Sequence, residues 1–413
     1  MQIRKWTRWA ALGGAGGLAI ASPALAQSTS LSIVDNPAVA VASSHYNLDA
    51  SLKEEYQSNV AGGGAAVAAL RGLKQSDYVL SPTLLVDIFR PIGRESIFLT
   101  GSTAYNFYER NHILSRENFN LSGGVNGQLS LCRATLSGAY ARRQNDLQDI
   151  TRTAIHDTYQ QTSVGLNGAC GRSVGFSPNF SITQTWSNNS LSQLQSSDYK
   201  TLGGTGGVSY QRPTFGNLSL FGQYQSTEFT NRILFFNLSP QHDGFDTYGG
   251  GVSYVRQLGA RIQGSVSLSY TSVKPFAGSA SFNGPTYGAD VTFRASSRLM
   301  LHGSVTRDVQ PSNVFDATYF LETKGLVEAD YHLGSRLDVD VAASETDRTF
   351  KGPALVKGVD LRNDTQKSIY ATVTYTLRKL YVALDLRNDQ RTANVAGLSY
   401  PDNRIGVTAG ARF

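Results

Sequence analysis

The sequence predicts an all-β fold class, a transmembrane antiparallel up-and-down β-barrel of about 18 strands. Apolar and polar residues alternate with the period of a β-strand in segments of roughly 10 residues, the length that crosses a bilayer when the strand is tilted. Short and long connectors alternate between these segments. After the first 26 residues, no run of about 18 apolar residues offers a transmembrane helix. The abundance of Gly (41), Tyr (20) and Phe (19) also suits a long antiparallel structure.

The amino terminus has the pattern of a secretory signal. Arg4, Lys5 and Arg8 precede a short apolar run, and Ala24-Leu25-Ala26 provides an A-x-A cleavage site. We therefore expect residues 1–26 to be a signal peptide, 27–44 a loose periplasmic lead-in and 45–413 the barrel. Removing the three cations lowers the formal net charge from +6 to +3. A balance so close to neutral gives no reason to expect a nucleic-acid partner.

The alternation is clearest from Ile262 to Tyr270, where the sequence reads IQGSVSLSY. Apolar residues and one Gly occupy every second position, and Gln or Ser lies between them, which predicts a strand with one lipid face and one wet face. The same pattern recurs from Tyr46 to the end of the chain. Several of these segments end on a tyrosine, whose ring can lie in lipid while its hydroxyl reaches water: Tyr105, Tyr140, Tyr210, Tyr254, Tyr270, Tyr331 and Tyr375.

The connectors predict the orientation of the barrel. Short ones, such as Gly259 and Ser296-Ser297, are expected to be periplasmic turns, and long polar ones, such as 58–76, 231–244 and 345–365, to be extracellular loops. About 18 strands leave both termini on the periplasmic side. Sixteen strands remain possible if the weakest candidates, around Tyr46 and Thr318, are not strands.

The last segment ends on an aromatic residue. Between Arg404 and Phe413 the apolar residues again fall at every second position. This ending resembles the carboxyl-terminal signature of bacterial outer-membrane barrels, which implies that Phe413 is an assembly signal for the barrel-assembly machinery. We expect this strand to close the barrel by pairing with the strand near Tyr46, and the outer surface to contact outer-membrane lipid.

The strand positions that alternate with the apolar ones are predicted to face the lumen. Most of these positions carry hydroxyl or amide groups, which suits polar, weakly charged solutes such as saccharides. The candidate charged pore-lining residues are Arg133, Asp290, Arg294, Arg298, His302, Glu328, Asp330, Asp338, Asp340, Asp385 and Arg404.

The cysteines and histidines, which could carry chemistry in other proteins, are interpreted here as structural residues. Cys132 and Cys170 lie at the ends of neighbouring candidate strands, where they are either a disulfide or two unpaired small hydrophobes. His302 is followed by Ser304, but no acid lies at a spacing that would orient a catalytic histidine. No motif predicts an enzyme, a metal site or a cofactor. The helix-like stretch 61–73 is either a surface piece of an outer loop or a segment that folds inward and narrows the pore.

Three early segments suggest a family. They are EEYQSN at 54–59, SDYVLSPTL at 76–84 and YNFY at 105–108. Together they resemble the opening of the putative beta-barrel porin type 2 family, with Ser58-Asn59 where that family has Asp-Asn. The resemblance implies a Gram-negative outer-membrane barrel that passes polysaccharide or other solutes, in company with polysaccharide-export components. The expected function is a porin-like channel for polar solutes; the alternative is a structural or enzymatic barrel that does not conduct.

Overall fold

The computed structural model describes residues 44–145, 156–171, 174–236, 239–276, 280–312, 317–352, 361–395 and 397–413. The predicted signal peptide, 1–26, and all but the last residue of the predicted lead-in, 27–44, lie outside them. Both therefore stay predictions.

Within the described residues, eighteen strands form one closed antiparallel sheet. Each strand pairs with its neighbours in the chain, and β1 also pairs with β18, so the ring has no free edge. This confirms the predicted fold class and the count of 18 rather than 16. The strands are β1 His45–Gln57, β2 Asp77–Ile92, β3 Glu95–Tyr108, β4 Arg116–Leu129, β5 Cys132–Gln144, β6 Thr158–Cys170, β7 Gly175–Asn189, β8 Tyr199–Arg212, β9 Gly216–Phe236, β10 Ser239–Leu258, β11 Ile262–Pro275, β12 Phe282–Arg294, β13 Leu299–Pro311, β14 Tyr319–Leu333, β15 Leu337–Lys351, β16 Asn363–Leu377, β17 Leu380–Ala393 and β18 Tyr400–Arg412.

The two ends of the barrel differ. At the short-turn end, tight connections follow strands β2 to β16 of even number. The start of β1 and the end of β18 lie at the same end. At the long-loop end lie nine connections, which we name L1 to L9: 58–76, 109–115, 145–157, 190–198, 237–238, 276–281, 312–318, 352–362 and 394–399. L1 contains a short helix, α1 Ala65–Leu70, and L2 and L4 contain the 3-10 turns His112–Leu114 and Gln195–Ser197. Among the described residues, no helix is long and apolar enough to span a membrane.

Two predicted loops are wrong in extent. Residues 231–244 are largely strand, because β9 and β10 continue as a paired ribbon whose last partners are Phe236 and Ser239. Likewise β15 continues to Lys351 and β16 begins at Asn363, inside the predicted loop 345–365. Both pairs of strands extend past the apolar band. The pairing of β15 with β16 is continuous there, whereas that of β9 with β10 resumes after a register shift between His242 and Gly244.

The outward face carries an apolar band bordered by aromatic residues. Near the short-turn end Phe176 contacts Tyr210 with ring centroids 5.2 Å apart, and near the long-loop end Tyr56 contacts Tyr78 at the same distance. Ten residue steps on β1, from Tyr46 to Tyr56, span roughly 25 Å at the tilt usual for such barrels. This height matches the hydrocarbon layer of a bilayer.

The barrel closes on the terminal strand, as predicted. The register of β1 and β18 runs from Asp49 opposite Arg412 to Gln57 opposite Arg404. Beyond it, the backbone N–H of Phe413 donates to the carbonyl of Leu48 at 2.8 Å. Phe413 is 63% exposed on the outer face, at the short-turn rim.

Candidate pore and its mouth

Polar side chains face the lumen because they alternate with the exposed apolar residues of the outer face. With one exception, the predicted pore-lining residues occupy such inward positions in the strands. The exception, Arg298, lies in the connection between β12 and β13, at the short-turn rim.

The lumen has two unlike walls. The neutral wall comprises the inward positions of β6, β7 and β8, of 217–227 in β9, of 245–257 in β10 and of 263–273 in β11. These described positions carry only Ser, Thr, Asn, Gln, Gly, Ala, Val, Phe or Tyr. Hydroxyls bond along the wall: Ser209 contacts Ser219 at 2.7 Å, and Thr201 contacts Thr227 at 3.0 Å. Such groups offer hydrogen bonds to a solute without offering charge.

The charged wall comprises the inward positions of β12 to β18 and β1. Near the long-loop end its charges are buried and paired. Asp364, 2% exposed, accepts hydrogen bonds from Arg348 Nε at 2.8 Å and from Arg391 Nε at 2.8 Å. Arg404 lies between Asp402 and Asp389, with Nε to carboxylate distances of 2.7 and 3.6 Å. These pairs hold neighbouring strands together and leave little uncompensated charge.

Lower on the same wall, Asp385 is also compensated. Its carboxylate accepts from the hydroxyls of Thr372 at 2.9 Å and Thr408 at 3.2 Å, and Lys53 Nζ lies 3.7 Å away. The same ammonium group lies 2.6 Å from Glu55. The predicted pore residue Asp385 thus belongs to an interstrand network.

Near the short-turn end, acidic side chains dominate the charged wall. We name Asp290, Glu328, Asp330, Asp338 and Asp340 the acidic strip. It includes histidine contacts that the sequence did not reveal, because the acids come from neighbouring strands. His302 Nε2 lies 2.7 Å from Asp290, and His302 Nδ1 lies 3.6 Å from Glu328. His332 Nδ1 lies 2.6 Å from Asp338.

Three loops pack together over the long-loop end. Val60, Ala61, Ala68 and Leu73 of L1 form a buried apolar cluster with Leu114 of L2 and Leu194 of L4. L1 and L4 are separated by six strands in the ring, a third of its circumference. The helix-like stretch 61–73 therefore packs on other loops, and part of the mouth is covered.

Arg232 of β9 ties further parts of the mouth together. This side chain is 4% exposed. Its Nε donates to the carbonyl of Ser196 in L4 at 2.9 Å, and Nη1 donates to the carbonyl of Ala317 in L7 at 2.8 Å. Nη1 also lies 3.2 Å from Asp243, which is fully buried and accepts from the Thr318 hydroxyl. Sequence reasoning missed Arg232 because it assigned the residue to a loop.

L4 is fixed by a second buried carboxylate. Asp198 accepts from the backbone N–H of Asn189 at 2.7 Å and from its side-chain amide at 2.8 Å. Burial raises the pKa of the Asp198 carboxyl above its ordinary value, against the lowering effect of these hydrogen bonds. The loop thus has a defined docking position on β7.

Cys132 and Cys170 lie directly opposite each other in the register of β5 and β6 and form a disulfide. Both face outward at the short-turn end, so the bridge is remote from the lumen. Among the described residues, no group of three or more His, Cys, Asp or Glu side chains could hold a metal ion.

The family model for putative beta-barrel porin 2 matches residues 65–413. The chain belongs to this family. Among curated proteins none matches. The solved structures that resemble it include Pseudomonas aeruginosa OccK2 (OpdF), with 12% identity, a TM-score of 0.46 and coverage of 90% of this chain and 98% of the other. The outer membrane protein opdK from Pseudomonas aeruginosa has 9% identity and a TM-score of 0.44, with coverage of 89% of this chain and 99% of the other. The siderophore receptor PirA from Acinetobacter baumannii has 8% identity and a TM-score of 0.44, with coverage of 90% of this chain and 81% of the other.

Proposed function

We propose that this porin-family chain is an outer-membrane channel through which polar solutes diffuse. One observation carries the proposal: a closed ring of 18 strands alternates apolar side chains outside with polar side chains inside. A barrel of this strand number has room for a water-filled lumen, whereas a soluble β-structure would place its apolar face inward.

Saccharides are the proposed solute class. The neutral wall presents hydroxyl and amide groups over six consecutive strands, and these groups can exchange hydrogen bonds with a sugar as water does. Exopolysaccharide, with its export components, is the proposed physiological partner. Outer-membrane lipid is proposed to cover the apolar band, and the barrel-assembly machinery to recognise Phe413.

A barrel that does not conduct is the second candidate, and the packed mouth favours it. L1, L2 and L4 share a buried core, which is the arrangement expected of a lid. Structural or enzymatic roles would both fit such a closed barrel.

Planar-bilayer recording of the refolded mature chain separates the two. Stable open steps that maltohexaose interrupts reversibly, with no block by a salt at equal osmolality, are the expected result. Absence of conductance from protein with the heat-modifiable gel mobility of a folded barrel would overturn the channel.

A further inference from the structure

The acidic strip places accessible negative charge in the lumen. Side chains of Asp290, Glu328 and Asp338 are 51%, 28% and 39% exposed. By contrast the charged network at the long-loop end is buried, with Asp364 and Arg391 each 2% exposed. A solute in the lumen can therefore reach the carboxylates of the strip and the exposed Arg294, but not the charges of the buried network.

Two acids of the strip directly oppose each other. Asp330 of β14 is the register partner of Asp340 of β15, and both are partly exposed on the lumen face. Among the described residues, neither lies within 4 Å of a lysine, arginine or histidine nitrogen. The two carboxyl groups share a hydrogen bond, which requires a proton between them. A mobile cation can replace that proton, because it relieves the repulsion between two ionised carboxylates on adjacent strands.

A hydroxyl without a partner adjoins the strip. Thr374 of β16 lies directly opposite Asp338 and is 4% exposed. Its Oγ1 has no hydrogen-bond partner among the described residues. A buried oxygen beside carboxylates is a group that a cation or an ammonium donor would satisfy.

The groups near the strip include His302 and His332, which contact three of its acids, and Arg298 at the short-turn rim. The strip lies on β12, β14 and β15. Among the described residues, Arg294 is the one arginine on the inward face of these strands in the half nearer the short-turn end. On the same wall at this end, Arg412 of β18 is paired with Asp49 at 3.1 Å. Arg133 of β5 faces inward as well, but the neutral wall, which begins on the next strand, adds no charge in its described positions.

We propose that the lumen conducts cations in preference to anions, that the acidic strip is its selectivity element, and that ammonium-bearing amino sugars are favoured among saccharides. The inference rests on the proposed channel function. It adds a charge preference that the neutral wall alone would not produce. A carboxylate ring or strip attracts cations and repels anions of similar size in a wet pore.

The test is a reversal-potential measurement on the full mature chain in a tenfold KCl gradient. We expect a K⁺ to Cl⁻ permeability ratio of about three or more. In the double variant Asp330→Asn and Asp340→Asn the ratio should fall at least about twofold, because the two carboxylates face the permeating ion. Replacing K⁺ with glucosaminium on one side should preserve the cation preference, and sodium glucuronate should show exclusion of the sugar anion.

The matched control is the double variant Glu345→Gln and Asp347→Asn. It removes the same charge from the outward face of β15, where Glu345 is exposed beside Lys367. Its permeability ratio should equal that of the unaltered chain, and both variants should keep the gel mobility of a folded barrel. Conductance without cation preference, or equal effects of the two variants, would overturn this inference alone. No conductance at all would overturn the channel function and this inference with it.

Discussion

Replacing Arg232 with Ala should loosen the mouth of the barrel while leaving its wall intact. The change removes donors to Ser196 and Ala317 and leaves Asp243 fully buried without its cation. Breaking a buried pair by removing one partner costs about 3–5 kcal/mol. Asp243 keeps hydrogen bonds from Thr318 and from the backbone N–H of Gly244, so the lower value, about 3 kcal/mol, applies.

This free energy concerns local opening of L4 and L7. About 3 kcal/mol corresponds to roughly a hundredfold increase in the opening equilibrium. Native-state hydrogen exchange read by mass spectrometry measures it directly. We expect about hundredfold faster exchange at Leu194 and Ser197, with unchanged exchange in the central residues of β7. Open-channel current noise should increase in parallel.

The matched control removes an exposed cation nearby. Lys200 lies 3.0 Å from Glu228 on the outer face, with a side chain that is 48% exposed. Exposed pairs contribute about 0.2–1 kcal/mol, so Lys200→Ala should change exchange in L4 by at most about fivefold. Equal exchange in the two variants would refute the reasoning that Arg232 secures the mouth.

Three further predictions concern the wall, assembly and L1. Asp364→Ala should lower the free energy of unfolding of the detergent-solubilised barrel in urea by about 3–5 kcal/mol, because two guanidinium groups lose their buried partner. The control Glu345→Gln, in an exposed pair, should lower it by under about 1 kcal/mol. Similar values for the two variants would contradict the buried network. Deleting Phe413 should lower the yield of membrane-inserted barrel several-fold without altering the conductance of the assembled fraction, and full assembly would count against its signal role. Deleting 61–73 should raise single-channel conductance, since the cluster with L2 and L4 is lost; unchanged conductance would show that L1 does not narrow the pore.

The parts of the fold that depend on local alternation were predictable from sequence. A strand such as β11 shows its lipid face and wet face within nine residues, and the same reasoning placed Asp330 and Asp340 on the lumen side. The closing pair β1 and β18 followed from an even strand count. Each of these features needs only the strand period and the rule that an outer-membrane barrel has no edge.

The remaining features depend on contacts between distant segments. Glu345 lies in the predicted loop 345–365, yet it pairs with Lys367 across two strands that extend above the apolar band. The acids that contact His302 come from two neighbouring strands, so sequence spacing does not reveal them. Arg232 reaches L7 across several strands, and no local pattern predicts that contact.

The loop contacts at the mouth have a mechanical consequence. L1, L4 and L7 follow β1, β7 and β13, so they stand a third of the circumference apart. L1 meets L4 in one apolar cluster, Arg232 joins L4 to L7, and L9 connects L7 back to L1 through Leu398 and a backbone hydrogen bond from Gly64 to Gly397. A ring of strands alone can flatten into an ellipse. Contacts that join L1, L4 and L7 to one another across the mouth resist that deformation. The long-loop end should therefore stay round under lateral membrane pressure, while the short-turn end is free to change shape.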